Sequence, residues 1–240
     1  MPRALVAGAS QGIGRAIALA LAARGYDLLL VARREAPLAD VVAQAKGVRP
    51  AGGVVEGLAA DLVDEDGRRR VVAAAAGDTS RPLDVLVHSA GTIARADVAE
   101  ASLDDLDRQY EANLRAPYAL TQALLGSLRA ARGQVIFVNS SAALVARANA
   151  AQYAATQAAL RAFANSLRDE VNADGVRVTS IFPGRTATPR QERIHGWEGR
   201  EYHPEALLQP EDVAAIVVAA IELPRTAEVT EITIRSMAKT

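Results

Sequence analysis

"RALVAGASQGIG" occupies positions 3–14, and its reading decides the fold. A short apolar run, RALVA (3–7), stops at Gly8, and Gly12 and Gly14 follow before an alanine- and leucine-rich helical stretch. Glycine lets a chain turn tightly and bring its backbone close to a phosphate, while the free N–H groups at a helix start attract an anion. A strand, a glycine turn and a helix in that order open a dinucleotide-binding unit, provided that a second strand follows shortly after the helix. DLLLVA (27–32) meets that condition. A turn needed only by the fold is the plainer reading of the same glycines.

The alternation continues along the chain. GVVEGLAA (53–60), LDVLVH (83–88), QVIFVN (134–139), VRVTSIF (176–182) and EVTEITI (228–234) read as five more strands. Six of the seven are close to continuously apolar, as strands covered on both faces are, and the segments between them are long enough for helical crossovers. The expected fold is α/β: a Rossmann-like, doubly wound, seven-stranded parallel sheet flanked by helices on both faces, with residues 1–240 forming one domain. Gly25 is expected to cap the first helix, and Gly175 to end the helix that carries Tyr153. One segment breaks the rhythm. Residues 185–209 are polar, carry His195, Trp197, Tyr202 and His203, and lie between the sixth strand and the last helix. At the carboxyl edge of an open sheet such a loop is expected to be a substrate lid; a solvated excursion is the alternative.

Composition narrows the partners. A net charge of −1 over 240 residues gives no basic field for nucleic acid and no polybasic segment for a membrane surface, so a small molecule is the expected ligand. The longest apolar stretches, such as VAAIVVAAIEL from Val213, fall short of the roughly 20 residues that cross a bilayer. The opening MPRALVAGAS has no signal-peptide pattern, so a cytoplasmic protein is expected. Cysteine is absent, which excludes thiolate chemistry, and His88, His195 and His203 have no zinc spacing; no metal is expected.

The spacing of Gly8, Gly12 and Gly14, GxxxGxG, is similar to that of the short-chain dehydrogenase/reductase family, classical type, and the likeness runs along nearly the whole chain. The resemblance implies that Ser10, Gln11 and Ile13 join the three glycines at the coenzyme. It also implies that Asp61 contacts adenine with Leu62 beside it. HSAG (88–91) stands where the family commonly has Asn-Asn-Ala-Gly. Ala90 and Gly91 match, whereas His88 and Ser89 do not; Ser89 still falls in the coenzyme set, and His88 reads as a satisfied core histidine. PGRTAT (183–188) matches the family's Pro-Gly segment, placing Pro183, Gly184, Thr186 and Thr188 near the nicotinamide amide and pyrophosphate. Assembly as a homodimer or homotetramer, through the helices around Asn113 and Tyr153 and the last strand, is implied likewise.

Which dinucleotide is bound turns on position 32. An NAD site places a carboxylate at the end of the second strand for the adenosine ribose. Here Ala32 is followed by Arg33 and Arg34, whose forked donors suit a 2′-phosphate, so NADP(H) is expected. Solvated arginines with NAD(H) as ligand are the alternative, and the neighbouring Glu35 favours it.

Reduction of a carbonyl needs a proton donor at the developing alkoxide. Tyr153 supplies one, and Ser140, thirteen residues earlier and just past the fifth strand, has the spacing of the family's catalytic serine; Ser141 is less suited. Asn113 resembles the asparagine that kinks its helix and holds a water in the family's proton relay. The family's lysine, four residues after the tyrosine, is here Gln157. Its amide can still hydrogen-bond ribose hydroxyls for the coenzyme, but carries no charge. A cation about 4 to 5 Å from a phenolate, at an effective dielectric near 20, is worth roughly 3 to 4 kcal/mol. Without one, a phenol with the ordinary pKa of about 10 is ionised in about one molecule in 10³ at neutral pH. The expectation is a carbonyl or alcohol oxidoreductase that is slow in both directions and biased to reduction. An impaired NADP(H)-binding sensor or partner subunit of the same fold is the second reading. Lys46 and Lys239 are the only lysines, and neither position suits a replacement cation. An arginine from 185–200 is the remaining source.

Overall fold

The computed structural model describes residues 1–238; Lys239 and Thr240 lie outside the described residues. The chain forms one sheet of seven parallel strands in the order β3-β2-β1-β4-β5-β6-β7. These are β1 (Arg3–Ala7), β2 (Asp27–Ala32), β3 (Val55–Ala59), β4 (Val85–His88), β5 (Gln134–Val138), β6 (Arg177–Pro183) and β7 (Glu231–Ile234). Among the described residues eight α-helices connect them: α1 (Gly12–Ala23), α2 (Glu35–Val48), α3 (Glu65–Ala76), α4 (Leu103–Tyr110), α5 (Ala116–Ala131), α6 (Ala151–Val171), α7 (Pro189–Trp197) and α8 (Pro210–Glu222).

Each strand of the sheet's centre feeds two cores because successive side chains point to opposite faces. Along β1, Ala4 and Val6 pack with Leu28, Leu30, Ile17 and Val217 on the face that α1, α2 and α8 cover. Leu5 and Ala7 pack with Leu29, Leu86, Leu124 and Leu160 on the face of α3, α5 and α6. Burial on both faces is why β2, entirely buried, reads as an uninterrupted apolar run from Leu28 to Ala32. The expected doubly wound sheet is the observed one.

The strand ends differ from expectation where a side chain replaces the ladder. β7 begins at Glu231 rather than 228, because the Glu228 carboxylate accepts the Val178 N–H at 2.8 Å and Thr179 Oγ1 donates to the Val229 carbonyl at 2.7 Å. β3 is shorter than expected, and its exposed Glu56 and Gly57 mark it as the sheet's edge. Gly25, at φ +81°, closes α1 as expected: its N–H bonds Ala22 O at 2.9 Å and that of Tyr26 bonds Leu21 O at 3.2 Å, a Schellman end. Gly175, at φ +77°, ends the Tyr153 helix only after a 3₁₀ turn over Asn172–Asp174. Segment 185–209 is no simple loop. It holds α7, started by Thr188, whose hydroxyl accepts the Gln191 N–H at 3.2 Å, and by Pro189 in the first turn.

Candidate active site

The strand order reverses between β1 and β4, and the crevice beyond the carboxyl ends of the strands opens there. It is a cleft of about 750 Å³. Loops after β1, β2 and β3 form one half, and loops after β4, β5 and β6 with α7 form the other.

The first half is a cradle of backbone. Gly8 takes φ +84°, and a Cβ there would lie 2.5 Å from Ala90 N; a Cβ on Gly14 would lie 2.2 Å from Gly8 O. Both positions are closed to any side chain. Gly12, at φ +56°, faces the Thr188 methyl 3.0 Å from its own missing Cβ, so the glycine loop and the loop after β6 meet. Helix α1 starts at Gly12 without a side-chain cap on Gln11 and without an acid in its first turn. Its free N–H groups and positive dipole end therefore suit an anion, and a pyrophosphate fits this donor set. Ser10, Gln11, Ile13, Arg33, Asp61 and Leu62 line the same half. Gly14 and Arg34 do not line it: Gly14 is buried under the loop, where it lets α1 approach Gly8, and the exposed Arg34 precedes α2 as its cap residue. Among the described residues neither Arg33 nor Arg34 pairs with Glu35 or another carboxylate, so Arg33 presents an uncompensated cation at the cleft.

Ser89, Ala90 and Gly91, then Pro183, Gly184, Thr186 and Thr188, continue the lining past the switch point. His88 is buried: Nε2 lies 2.8 Å from Thr121 Oγ1 and the ring stacks on Phe137 at 5.0 Å. Burial pushes its pKa down to about 3, so the ring is a neutral core group.

Ser140, Tyr153, Gln157 and Asn113 all line the second half. Ser140 sits just past β5, where its Oγ accepts the Ala142 N–H at 3.1 Å and so keeps its own proton free to donate. Tyr153 and Gln157 lie one turn apart on α6, on the same face. Gln157 is buried, and among the described residues no protein group hydrogen-bonds its side chain. Sequence reasoning missed the residues that fix these two. Asn139 accepts the Ser140 N–H at 2.7 Å and donates to the Gln157 carbonyl at 3.1 Å, tying β5 to α6. Thr156 donates to the Tyr153 carbonyl at 2.9 Å and accepts from Asn113 Nδ2 at 3.0 Å. A polar Asn directly before the serine, and a hydroxyl between two helical site residues, were the available signals.

Asn113 lies in a π-helical turn, Glu111–Arg115, between α4 and α5. Its amide is fully engaged: Nδ2 also donates to Thr92 O at 2.9 Å, and Oδ1 accepts the Thr92 N–H at 2.8 Å. The side chain thus anchors the loop after β4 to the π-helical turn, with no donor left over. Among the described residues no group of three His, Cys, Asp or Glu side chains converges as a metal site would, and no helix is long and apolar enough to cross a membrane.

The backbone cradle and the side chains of Ser140 and Tyr153 thus line one crevice. The short chain dehydrogenase family model matches residues 2–199, and the chain belongs to that family. It is 36% identical over 234 residues to an uncharacterized short-chain type dehydrogenase/reductase of Sinorhizobium fredii, covering 95% of this chain and 89% of that one. An uncharacterized oxidoreductase of Staphylococcus epidermidis is 31% identical over 233 residues, covering 97% and 96%. Among solved structures, an alcohol dehydrogenase from Thermococcus sibiricus complexed with 5-hydroxy-NADP superimposes with a TM-score of 0.85 at 27% identity, over 100% and 98% of the two chains. L-sorbose reductase from Gluconobacter frateurii, complexed with NADPH and L-sorbose, gives 0.87 at 26% identity, over 97% and 94%.

Proposed function

We propose that this oxidoreductase is an NADP(H)-dependent carbonyl reductase in which Tyr153 is the proton donor. The observation that carries the reading is one cleft lined at once by the glycine cradle and by Ser140, Tyr153 and Gln157. NADP(H) rather than NAD(H) is supported by the unpaired Arg33 at the end of β2, by Ala32 in the carboxylate position, and by NADP-type ligands in the two structural relatives.

The glycine cradle and Arg33 would hold a nicotinamide dinucleotide along the cleft, and the chemistry that it would supply there is a hydride for the substrate's carbonyl carbon. The Ser140 hydroxyl donates a hydrogen bond to the carbonyl oxygen and keeps its proton, orienting the substrate and stabilising developing charge. The Tyr153 phenol gives that oxygen its proton. The Gln157 amide, unengaged by protein, is placed to bind the ribose hydroxyls in the role that the resemblance gives to lysine. Asn113 and Asn139 position these groups through Thr156, Thr92 and the Gln157 backbone. Segment 185–209 is proposed as the lid that excludes water.

Gln157 leaves the phenol without a cation one turn away, so turnover is slow and reduction is favoured over oxidation. Gln157→Lys is expected to raise turnover by about tenfold or more and to move the pH profile of alcohol oxidation downward. Unchanged rate and profile would refute the electrostatic account. NADPH consumption with ketones and aldehydes, run beside NADPH and NADH binding titrations, tests the function itself. Tight coenzyme binding with no turnover, restored by Gln157→Lys, would favour a sensor or partner subunit instead. A homodimer or homotetramer is proposed too, supported by Leu103, Tyr110 and Tyr118, exposed at 74%, 48% and 46% along α4 and α5; sedimentation checks it.

A further inference from the structure

The substrate half of the cleft contains an ionic cluster that neither coenzyme binding nor proton transfer uses. Arg95, from the loop after β4, and Arg185, from the loop after β6, both donate to the carboxylate of Glu198 at the end of α7. The Arg185 bond is 2.9 Å, and Arg200 approaches the same carboxylate at 3.7 Å. Arg200 is largely solvated, its side chain 46% exposed, whereas those of Arg95, Arg185 and Glu198 are 20%, 30% and 16% exposed. Leaving Arg200 aside, two guanidinium groups share one carboxylate in a half-buried place, and all three residues line the cleft.

The donors outnumber the acceptors. A guanidinium offers five N–H bonds in a planar fork. Arg95 spends Nη1 on Glu198, and Arg185 spends Nη2. Arg185 Nη1 is buried and has no hydrogen-bond partner; on the acceptor side Glu198 Oε2 has none either, although it lies 2.8 Å from Arg185 Nη2. Buried polar atoms without partners are uncommon in folded proteins, and here two forks at the cleft wall keep N–H groups that one carboxylate does not fill. Burial alone would raise the Glu198 pKa, but the bonds from Arg95 and Arg185 outweigh it and hold the carboxyl below its usual range. Glu198 is thus a fixed anion on these forks, showing that the place accepts a carboxylate.

We propose that the substrate of this enzyme is an oxo acid, whose carboxylate seats on Arg95 and Arg185 while its ketone faces Tyr153. The inference rests on the carbonyl-reductase reading. Glu198 competes for the same donors, so it weakens the anion's binding as well as holding the end of α7. A cluster that serves only to clamp the lid makes the opposite prediction for a Glu198 variant.

The test compares 3-benzoylpropionate with its methyl ester, as substrates with NADPH and as ligands in isothermal titration. The acid is expected to bind and to show a KM about tenfold or more below that of the ester, in line with charge-assisted hydrogen bonds. Arg185→Met should raise KM for the acid about tenfold more than for the ester. Glu198→Gln should lower KM for the acid relative to the ester; a rise for both alike would make the cluster a clamp and overturn the proposal. Equal affinity for acid and ester, or no binding of the acid, overturns it too. Binding of the acid in preference to the ester, without turnover of either, would sink the reductase reading and leave the anion site standing.

Discussion

His88 stands in a strand where the family commonly has asparagine, and its neighbours make it a stability group. The ring is neutral because burial holds its pKa near 3, against the ordinary value of about 6.5 in the unfolded chain. Between those two values the unfolded chain binds a proton that the folded chain refuses. Stability therefore falls as the pH drops through this window, by up to about 1.4 kcal/mol per pH unit from this group. His88→Asn removes the titration, and urea unfolding between about pH 7 and 4 should show a shallower decline. An unchanged slope would assign the acid sensitivity to other groups. The sequence identified His88 as a core residue by its place in an apolar strand. Its partner Thr121, 33 positions away on α5, could not be read from it.

Helix ends were legible where one residue type does one job. Gly25 closes α1 at φ +81°, and a Cβ there meets no atom within 4 Å, so Gly25→Ala isolates the conformational cost of the left-handed backbone. Loss of about 1 to 2 kcal/mol in chemical unfolding is expected, with coenzyme affinity unchanged. Gly8→Ala meets both that cost and a collision at 2.5 Å with Ala90 N, so it should destabilise more and abolish NADPH binding. Equal effects of the two substitutions would refute the close approach. Helix α7 was missed because its residues are polar and its apolar period weak. Its start signal, Thr188 followed by Pro189, is present in the sequence, where the resemblance gives Thr188 a coenzyme role alone.

Across the molecule, one buried carboxylate ties the amino ends of the strands together. Asp27 at the start of β2 binds Arg49 from the end of α2 at 2.8 Å, the Val54 N–H before β3 at 2.8 Å, and Arg81 before β4. Burial alone would raise its pKa, but the Val54 N–H and the two arginines hold it low. The stability that it contributes is present above the unfolded pKa, about 3.9, and is lost as the pH falls through the lower folded value. Asp27→Ala strands the buried Arg49, 3% exposed, and should cost about 3 kcal/mol near neutral pH, measured by urea unfolding. Retention of full stability would show that water replaces the carboxylate without penalty.

The sequence alone pointed to the doubly wound sheet, since strands buried on both faces are apolar at most positions and a glycine turn before a helix has few other uses. The resemblance to the short-chain family named the candidate catalytic residues, and the pitch of one helix puts Tyr153 and Gln157 on a shared face. Only the tertiary structure decided what surrounds them. Arg95 and Glu198 are 103 positions apart, and Asn139 reaches Gln157 across the gap between β5 and α6. Those pairings are polar and carry no period, and loops meet according to where the sheet's register sets them down.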